Sequence, residues 1–286
     1  MNFWEKNWDA DHSKYIAKAA KIGFDVLEFQ AQPLLEMSDE KLKSLKAQAD
    51  EVGIELTYSL GLDPAYDVSN PDEAIRLGGV DYLKRIVEQI GKMDGKLLSG
   101  VSYAGWGTPP YILNDKRPLL ENSLKSMREI IKVAENNGVT YCVEAVNRFE
   151  GCLINTAQEA LDYAAQVDSP NIGVLLDTYH MNIEENSIGD AIRLVGDKLI
   201  SFHTGENNRT APGRGHLDWD EIFGALAEIG YKNRIVCEPF VMMGGEVGRD
   251  IHVFRDLVAD TSEAAIDREA KYILDFEKAM MQKYNM

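Results

Sequence analysis

The sequence predicts a (β/α)8 barrel formed as one domain over residues 1–286, and three observations carry that prediction. Seven short apolar or β-branched runs recur along the chain with amphipathic stretches between them, the rhythm of parallel strands covered by helices. Eight helical candidates stand at a mean spacing of about 35 residues, the step of a closed barrel rather than of an open sheet. The marks of the open nucleotide-binding sheets are missing: no GxGxxG follows the first strand, and "GGEVG" after the last has neither the Lys nor the Thr of a phosphate loop.

In chain order the strands are "FDVLEF" (24–29), "IELTYSL" (54–60), "KLLSGV" (96–101), "TYCVEAV" (140–146), "IGVLLDTYH" (172–180), "LISFHTGE" (199–206) and "RIVCEPF" (234–240). Each is apolar on both faces, as a strand buried between a barrel interior and a helical layer must be. The helices are expected near 13–22, 38–52, 72–94, 117–137, 156–167, 187–197, 218–229 and 262–283, with apolar residues three and four apart. Asn70-Pro71-Asp72-Glu73, Thr156 with Glu159, and Asp218 with Glu221 read as N-caps with a capping-box partner. Gly23, Gly53, Gly138 and Gly230 read as left-handed residues that end helices. Eight helices against seven strands leave the first strand short or truncated, and "MNFW" is read as its remnant.

Composition excludes several functions. With 30 Lys+Arg against 47 Asp+Glu the net charge is −17, a field that repels nucleic acid and anionic membrane surfaces alike. No apolar run approaches the ~20 residues that span a bilayer, and "MNFWEKNWDADH" lacks the apolar core of a signal peptide, so a cytoplasmic location is expected. Cys142, Cys152 and Cys237 are odd in number and lack CxxC spacing; they read as reduced packing thiols, with alternation turning Cys237 away from the side its neighbour Glu238 faces.

Four successive strands carry a polar residue at or near the C-terminal end, where barrels of this kind do their chemistry: Glu144 in "YCVEAV", Asp177 in "VLLDTYH", His203 in "ISFHTGE" and Glu238 in "IVCEPF". One such residue is usually a cap or a satisfied core group. Four in register, each after residues that must be buried, need a compensating cation or hydrogen-bond network. Three carboxylates and an imidazole suit Mn²⁺, Co²⁺ or Mg²⁺ better than a thiolate-bound zinc. Glu150, His180 and Arg209 follow in the loops just past three of these strands, over the barrel mouth. Such a site can chelate adjacent sugar oxygens, polarise a carbonyl and exchange the proton on the neighbouring carbon. Two acid-base groups on opposite faces give an epimerase acting through an enediolate; return of the proton to the adjacent carbon gives an aldose-ketose isomerase. Spacing leaves both open.

The segments "EAVNRFEGCLINTAQEALDY", "LLDTYHMNIEE", "FHTGENNRTAPGRG" and "CEPFVMMGGEVG" resemble the ketose 3-epimerases, the D-tagatose/D-psicose (D-allulose) 3-epimerase family of xylose-isomerase-like barrels, and the likeness runs over nearly the whole chain. The resemblance implies that Glu144, Asp177, His203 and Glu238 bind Mn²⁺ or Co²⁺, with Glu144 and Glu238 as the acid-base pair. It further implies that Glu150, His180 and Arg209 hold the oxygens at C1 to C3 of a ketose, that Trp106 lines the substrate pocket, and that the protein is a homodimer or homotetramer. Three departures stand out. The family's opening "GIYYAYW" is reduced here to "MNFW", its "GGxLYSYWP" to "SGVSYAGWGTPP", and its "GxGP" loop is replaced by "SLGLDP" (59–64). The last two face the far end of the sugar in the family. They keep two alternatives in view: another sugar isomerase of the same barrel, acting on aldoses or cleaving C-glycosides, and a sugar-binding protein without turnover.

Overall fold

The computed structural model describes residues 3–11, 13–107, 109 and 113–286. Its elements run α1 (Lys14–Ile22), β1 (Val26–Gln30), α2 (Asp39–Val52), β2 (Glu55–Ser59), α3 (Glu73–Lys92), β3 (Leu97–Ser99), α4 (Arg117–Asn137), β4 (Thr140–Ala145), α5 (Ala157–Val167), β5 (Ile172–Asp177), α6 (Thr178–Glu184), α7 (Ile188–Val195), β6 (Leu199–Thr204), α8 (Trp219–Glu228), β7 (Arg234–Cys237), α9 (Gly245–Asp250) and α10 (Glu263–Lys283). The seven strands form one all-parallel sheet in the order β1 to β7, each beside its neighbour in sequence. This is the predicted barrel, nearly closed.

The expected first strand has no counterpart among the described residues. Met1 and Asn2 of "MNFW" lie outside them, and Phe3 and Trp4 form a turn. These two aromatics instead help line a cavity of about 40 Å³ at the seam between β1 and β7, with Ala270 and Ile273 of α10 on its outer side. Three further readings are corrected. The strand expected over 172–180 stops at Asp177, whose side chain accepts from the Tyr179 and His180 amides and so starts α6. The cap of α3 is Asp72, accepting from the Ala74 amide, while Asn70 only turns the chain before it. Thr156 and Asp218 do cap α5 and α8, but Glu159 reaches back to the Asn155 amide and Glu221 holds Ser187 and Gly189 of the α7 start. The short helices α6 and α9 were not anticipated, being too brief to show a period.

Most of the buried apolar side chains lie between sheet and helices. A smaller set, Leu97, Cys142 and Leu175 with Ile200, fills the barrel floor. Gly173 makes that floor possible: a Cβ there would stand 2.4 Å from Ile200 Cγ1, at the point where the β5–β6 register shifts. No described helix is long and apolar enough to cross a membrane.

Helix α10 buries one carboxyl, Glu277, which accepts from the Thr204 hydroxyl. Burial pushes its pKa up to about 7, against an ordinary 4.5. The folded state therefore holds this proton more tightly than the unfolded chain, and its contribution to stability falls as pH rises from about 4.5 to about 7. The loss is on the order of 3 kcal/mol. Glu277→Gln keeps an acceptor for Thr204, so its melting temperature is expected to exceed that of the parent by several degrees at about pH 8 and to match it at about pH 5. Equal shifts at both pH values would show that the carboxyl does not titrate in this window.

Candidate metal centre

Strand register decides which residues enter the barrel. Paired residues of a parallel ladder face the same side, with a period of two. Glu144 pairs with Leu175, two residues before Asp177; Asp177 pairs with His203; His203 pairs with Val236, two residues before Glu238. All four side chains therefore share the interior, at its C-terminal mouth. Each offers one ligand atom, and these atoms lie within 4.8 Å of one another. Asp177 and His203 are fully enclosed, at 0% and 1% exposed. Cys237 pairs instead with Thr204 and borders the seam cavity with residues of α10, on the outer side of the sheet, as alternation requires. Cys142 shares the interior but lies on the floor.

The cluster is short of positive charge. Burial, then the nearby Glu238 carboxylate, hold Glu144 well above the usual carboxylate range. Burial opposes ionisation of Glu238 too, but the hydrogen bond and charge of His203, with Arg209 behind them, overcome it and hold Glu238 well below that range. Burial likewise opposes charge on His203, and the carboxylates of Glu28 and Glu238 more than offset it. Three interior carboxylates and an imidazole form an oxygen-rich donor set that fits a hard divalent ion.

Around the cluster stand the three further residues expected there, Glu150 and Arg209 in loops and His180 in α6 rather than in a loop. Arg209 Nη1 lies 3.2 Å from Asp177 Oδ2 and 3.4 Å from Glu238 Oε2, and its Nη2 3.8 Å from Glu150 Oε1. Its guanidinium packs 4.0 Å from the Tyr179 ring centroid and 5.3 Å from that of Phe240, and its backbone takes φ 63°, so the pose is held from several sides. His180 Nδ1 accepts from the Asn147 amide, which leaves the proton on Nε2, 3.6 Å from Glu144 Oε1 and 3.1 Å from Arg209 Nη2. Burial lowers the His180 pKa, consistent with a neutral ring. Burial disfavours the charged form of Glu150 as well, but His180 and Arg209 overcome it and keep its carboxyl low.

Trp106 stands in the wall of the mouth rather than in this network. Its amide donates to Leu62 O at 2.7 Å, the next amide, of Gly107, donates to Glu150 O at 2.9 Å, and its ring meets Trp8 edge-on at 6.0 Å. The two divergent segments thus touch. A Cβ on Gly61 of "SLGLDP" would fall 3.2 Å from the Trp106 ring, and Asp67 Oδ1 accepts from the Gly105 amide at 2.9 Å.

Sequence reasoning passed over three contributors. Asn147 donates its side-chain amide to Glu150 at 3.1 Å and lies 2.7 Å from His180 Nδ1; Tyr179 carries Arg209; Glu28, 2% exposed on β1, faces His203. Only Glu28 had a signal, a carboxylate inside the otherwise buried run "FDVLEF".

Comparison with known proteins gives a consistent picture. A family model described as the xylose isomerase-like TIM barrel matches residues 16–270. The D-psicose 3-epimerase of Ruminiclostridium cellulolyticum is 46% identical over 280 residues, 98% of this chain and 96% of that one. The D-psicose 3-epimerase of Agrobacterium fabrum is 37% identical over 280 residues, 98% of this chain and 97% of its own. The solved D-psicose 3-epimerase with D-tagatose from Clostridium cellulolyticum H10 superposes with a TM-score of 0.95 at 46% identity, over 98% of this chain and 97% of that one.

Proposed function

Because the chain belongs to the ketose 3-epimerase family of xylose isomerase-like TIM barrels, we propose that it is a metal-dependent epimerase that inverts C3 of a free ketose, D-psicose and D-fructose being the first pair to test. The observation that carries the reading is the convergence of Glu144, Asp177, His203 and Glu238 in the barrel mouth. In this reading the four residues hold the divalent ion, Mn²⁺ or Co²⁺. The bound ion supplies Lewis-acid polarisation of the ketose carbonyl and stabilises the charge that develops on its oxygens.

The remaining work falls to the chain. Glu144 and Glu238 come from β4 and β7, three strands apart, and so can approach a carbon between them from opposite sides. One removes the C3 proton to leave an enediolate, and the other returns a proton to the opposite face. His180 Nε2 and Arg209 Nη2 lie 3.1 Å apart beside the cluster, and a substrate oxygen bound next to the pair can accept from both. Glu150 accepts from a sugar hydroxyl while its charge keeps Arg209 in place. Buried rings and the enclosed Asp177 keep bulk water from the enediolate.

Trp106, held by Leu62 and bordered by Gly61, packs against the far end of the sugar, so that the divergence of its segment alters the choice of ketose and leaves the C3 chemistry intact. The resemblance supports the choice of Mn²⁺ or Co²⁺ and a homodimer or homotetramer, and the sequence reading supports a cytoplasmic setting.

The test is incubation of the Mn²⁺-loaded protein with D-psicose in D₂O. Expected are D-fructose and deuterium at C3 of both sugars. Absence of both signals over a panel of ketoses would overturn the proposal. A product from aldoses or 3-keto-glycosides would then select the other isomerase reading. The E. coli 3-dehydro-D-guloside 4-epimerase, 30% identical over 229 residues, is a reason to include the glycosides in that panel.

A further inference from the structure

Among the described residues three buried carboxylates stand outside the proposed chemistry, Glu28, Glu206 and Glu277, and of these Glu28 is the one that faces a cluster residue. It pairs with Thr57 in the β1–β2 ladder and so faces the interior, on the layer that carries the site. Its Oε1 stands 3.3 Å from His203 Nε2, the ring nitrogen on the far side from Nδ1, which lies 3.4 Å from Glu238. Its Oε2 accepts from Thr57 at 3.4 Å and from Ser99 at 3.3 Å, which tether the carboxylate to β2 and β3. Among the described residues His203 Nε2 is buried without a formed hydrogen bond, and Glu28 Oε1 is the carboxylate oxygen within 4.0 Å of it. The strands divide the labour: β4 to β7 present the four cluster residues, while β1 to β3 present a carboxylate and two hydroxyls aimed at the back of one of them.

We propose that Glu28 is a positioning residue for the metal centre: it takes the Nε2–H of His203, which fixes the tautomer that leaves Nδ1 free to bind the ion and holds the ring plane toward the cluster. A ligating imidazole whose other N–H meets a carboxylate is both better oriented and more basic, and loss of that partner weakens metal binding about 10- to 100-fold. Without Glu28 the buried Nε2–H would have no acceptor, and the ring would gain by flipping its proton to Nδ1, the tautomer that cannot bind.

This inference rests on the metal-site reading above, and the experiment separates the two. Mn²⁺ is titrated calorimetrically into metal-free parent protein and into Glu28→Gln, Glu28→Leu and Asp177→Asn variants, with the melting temperature of each metal-free protein as the check on folding. The expected result is tight binding by the parent, Kd raised about 10-fold in Glu28→Gln and about 100-fold in Glu28→Leu, and no binding in Asp177→Asn. In the Mg²⁺-loaded parent the ¹⁵N shifts of His203 should report a protonated Nε2, and in Glu28→Leu a mixture of tautomers. If Asp177→Asn binds Mn²⁺ like the parent, the metal-site reading fails. If Asp177→Asn loses binding but a folded Glu28→Gln keeps the parent's Kd, the role assigned to Glu28 is overturned. Should Glu28→Leu not fold, Glu28→Gln, which preserves shape and both hydroxyl contacts, carries the test.

Discussion

Glu238→Gln is expected to fold normally and to lose ketose epimerisation by about 10⁴-fold in kcat/KM. The amide oxygen can still accept from Arg209 and face His203, so the network round it survives, but the group can no longer receive a proton. Its carboxyl is held ionised by His203 and Arg209, which is the state a base needs. Glu144→Gln should cost a similar factor, since an amide there can no longer give or take the second proton. Because epimerisation needs both groups in one turnover, the double variant should lose little more than either single one. The isotopic readout is sharper than the rate. Each single variant keeps one intact acid-base group and should still exchange the C3 proton of one of the two epimers with D₂O, a different epimer in each case, while forming almost no product. Retention of more than about a tenth of the parent rate in either variant would remove that glutamate from the chemistry.

The second large effect is on stability. Metal binding is expected to raise the melting temperature by several degrees, because an ion that binds only the folded state adds about 2.7 kcal/mol at a hundredfold excess over its Kd. Chelation should reverse the shift. Asp177→Asn should remove it altogether, while its amide oxygen can still accept from the Tyr179 and His180 amides and start α6. The pH dependence has a definite sign. Glu144 holds its proton in the metal-free protein, so ion binding displaces it, and affinity rises with pH as that proton becomes easier to lose. Thermal scans with and without Mn²⁺ over a range of pH check this. A shift that grows as pH falls would contradict the assignment of Glu144 to the ion.

The repeating strand and helix are legible in the amino-acid order, since two-sided apolar runs and the 3.6-residue period are local properties of the chain. It also determined the candidates Glu144, Asp177, His203 and Glu238, because charge at the end of a buried strand is conspicuous wherever it falls. The same local view extended β5 to His180, since a helix of seven residues opened by an Asp side chain has no period to read. It placed Glu150 and Arg209 in loops past the strand ends without saying that they touch, and expected a loop for His180, which the structure puts in α6.

The rest depends on contacts between segments distant in the chain. Whether four strand ends share one face depends on ladder register, and a slip of one residue between neighbours would send a carboxylate outward. The contact of "SLGLDP" with Trp106 joins residues distant in the chain. Glu28 shows the division most plainly. Its burial could be suspected from "FDVLEF", but its partner is 175 positions further on, and what makes a buried carboxylate useful is the group it faces across the barrel, which no local pattern encodes.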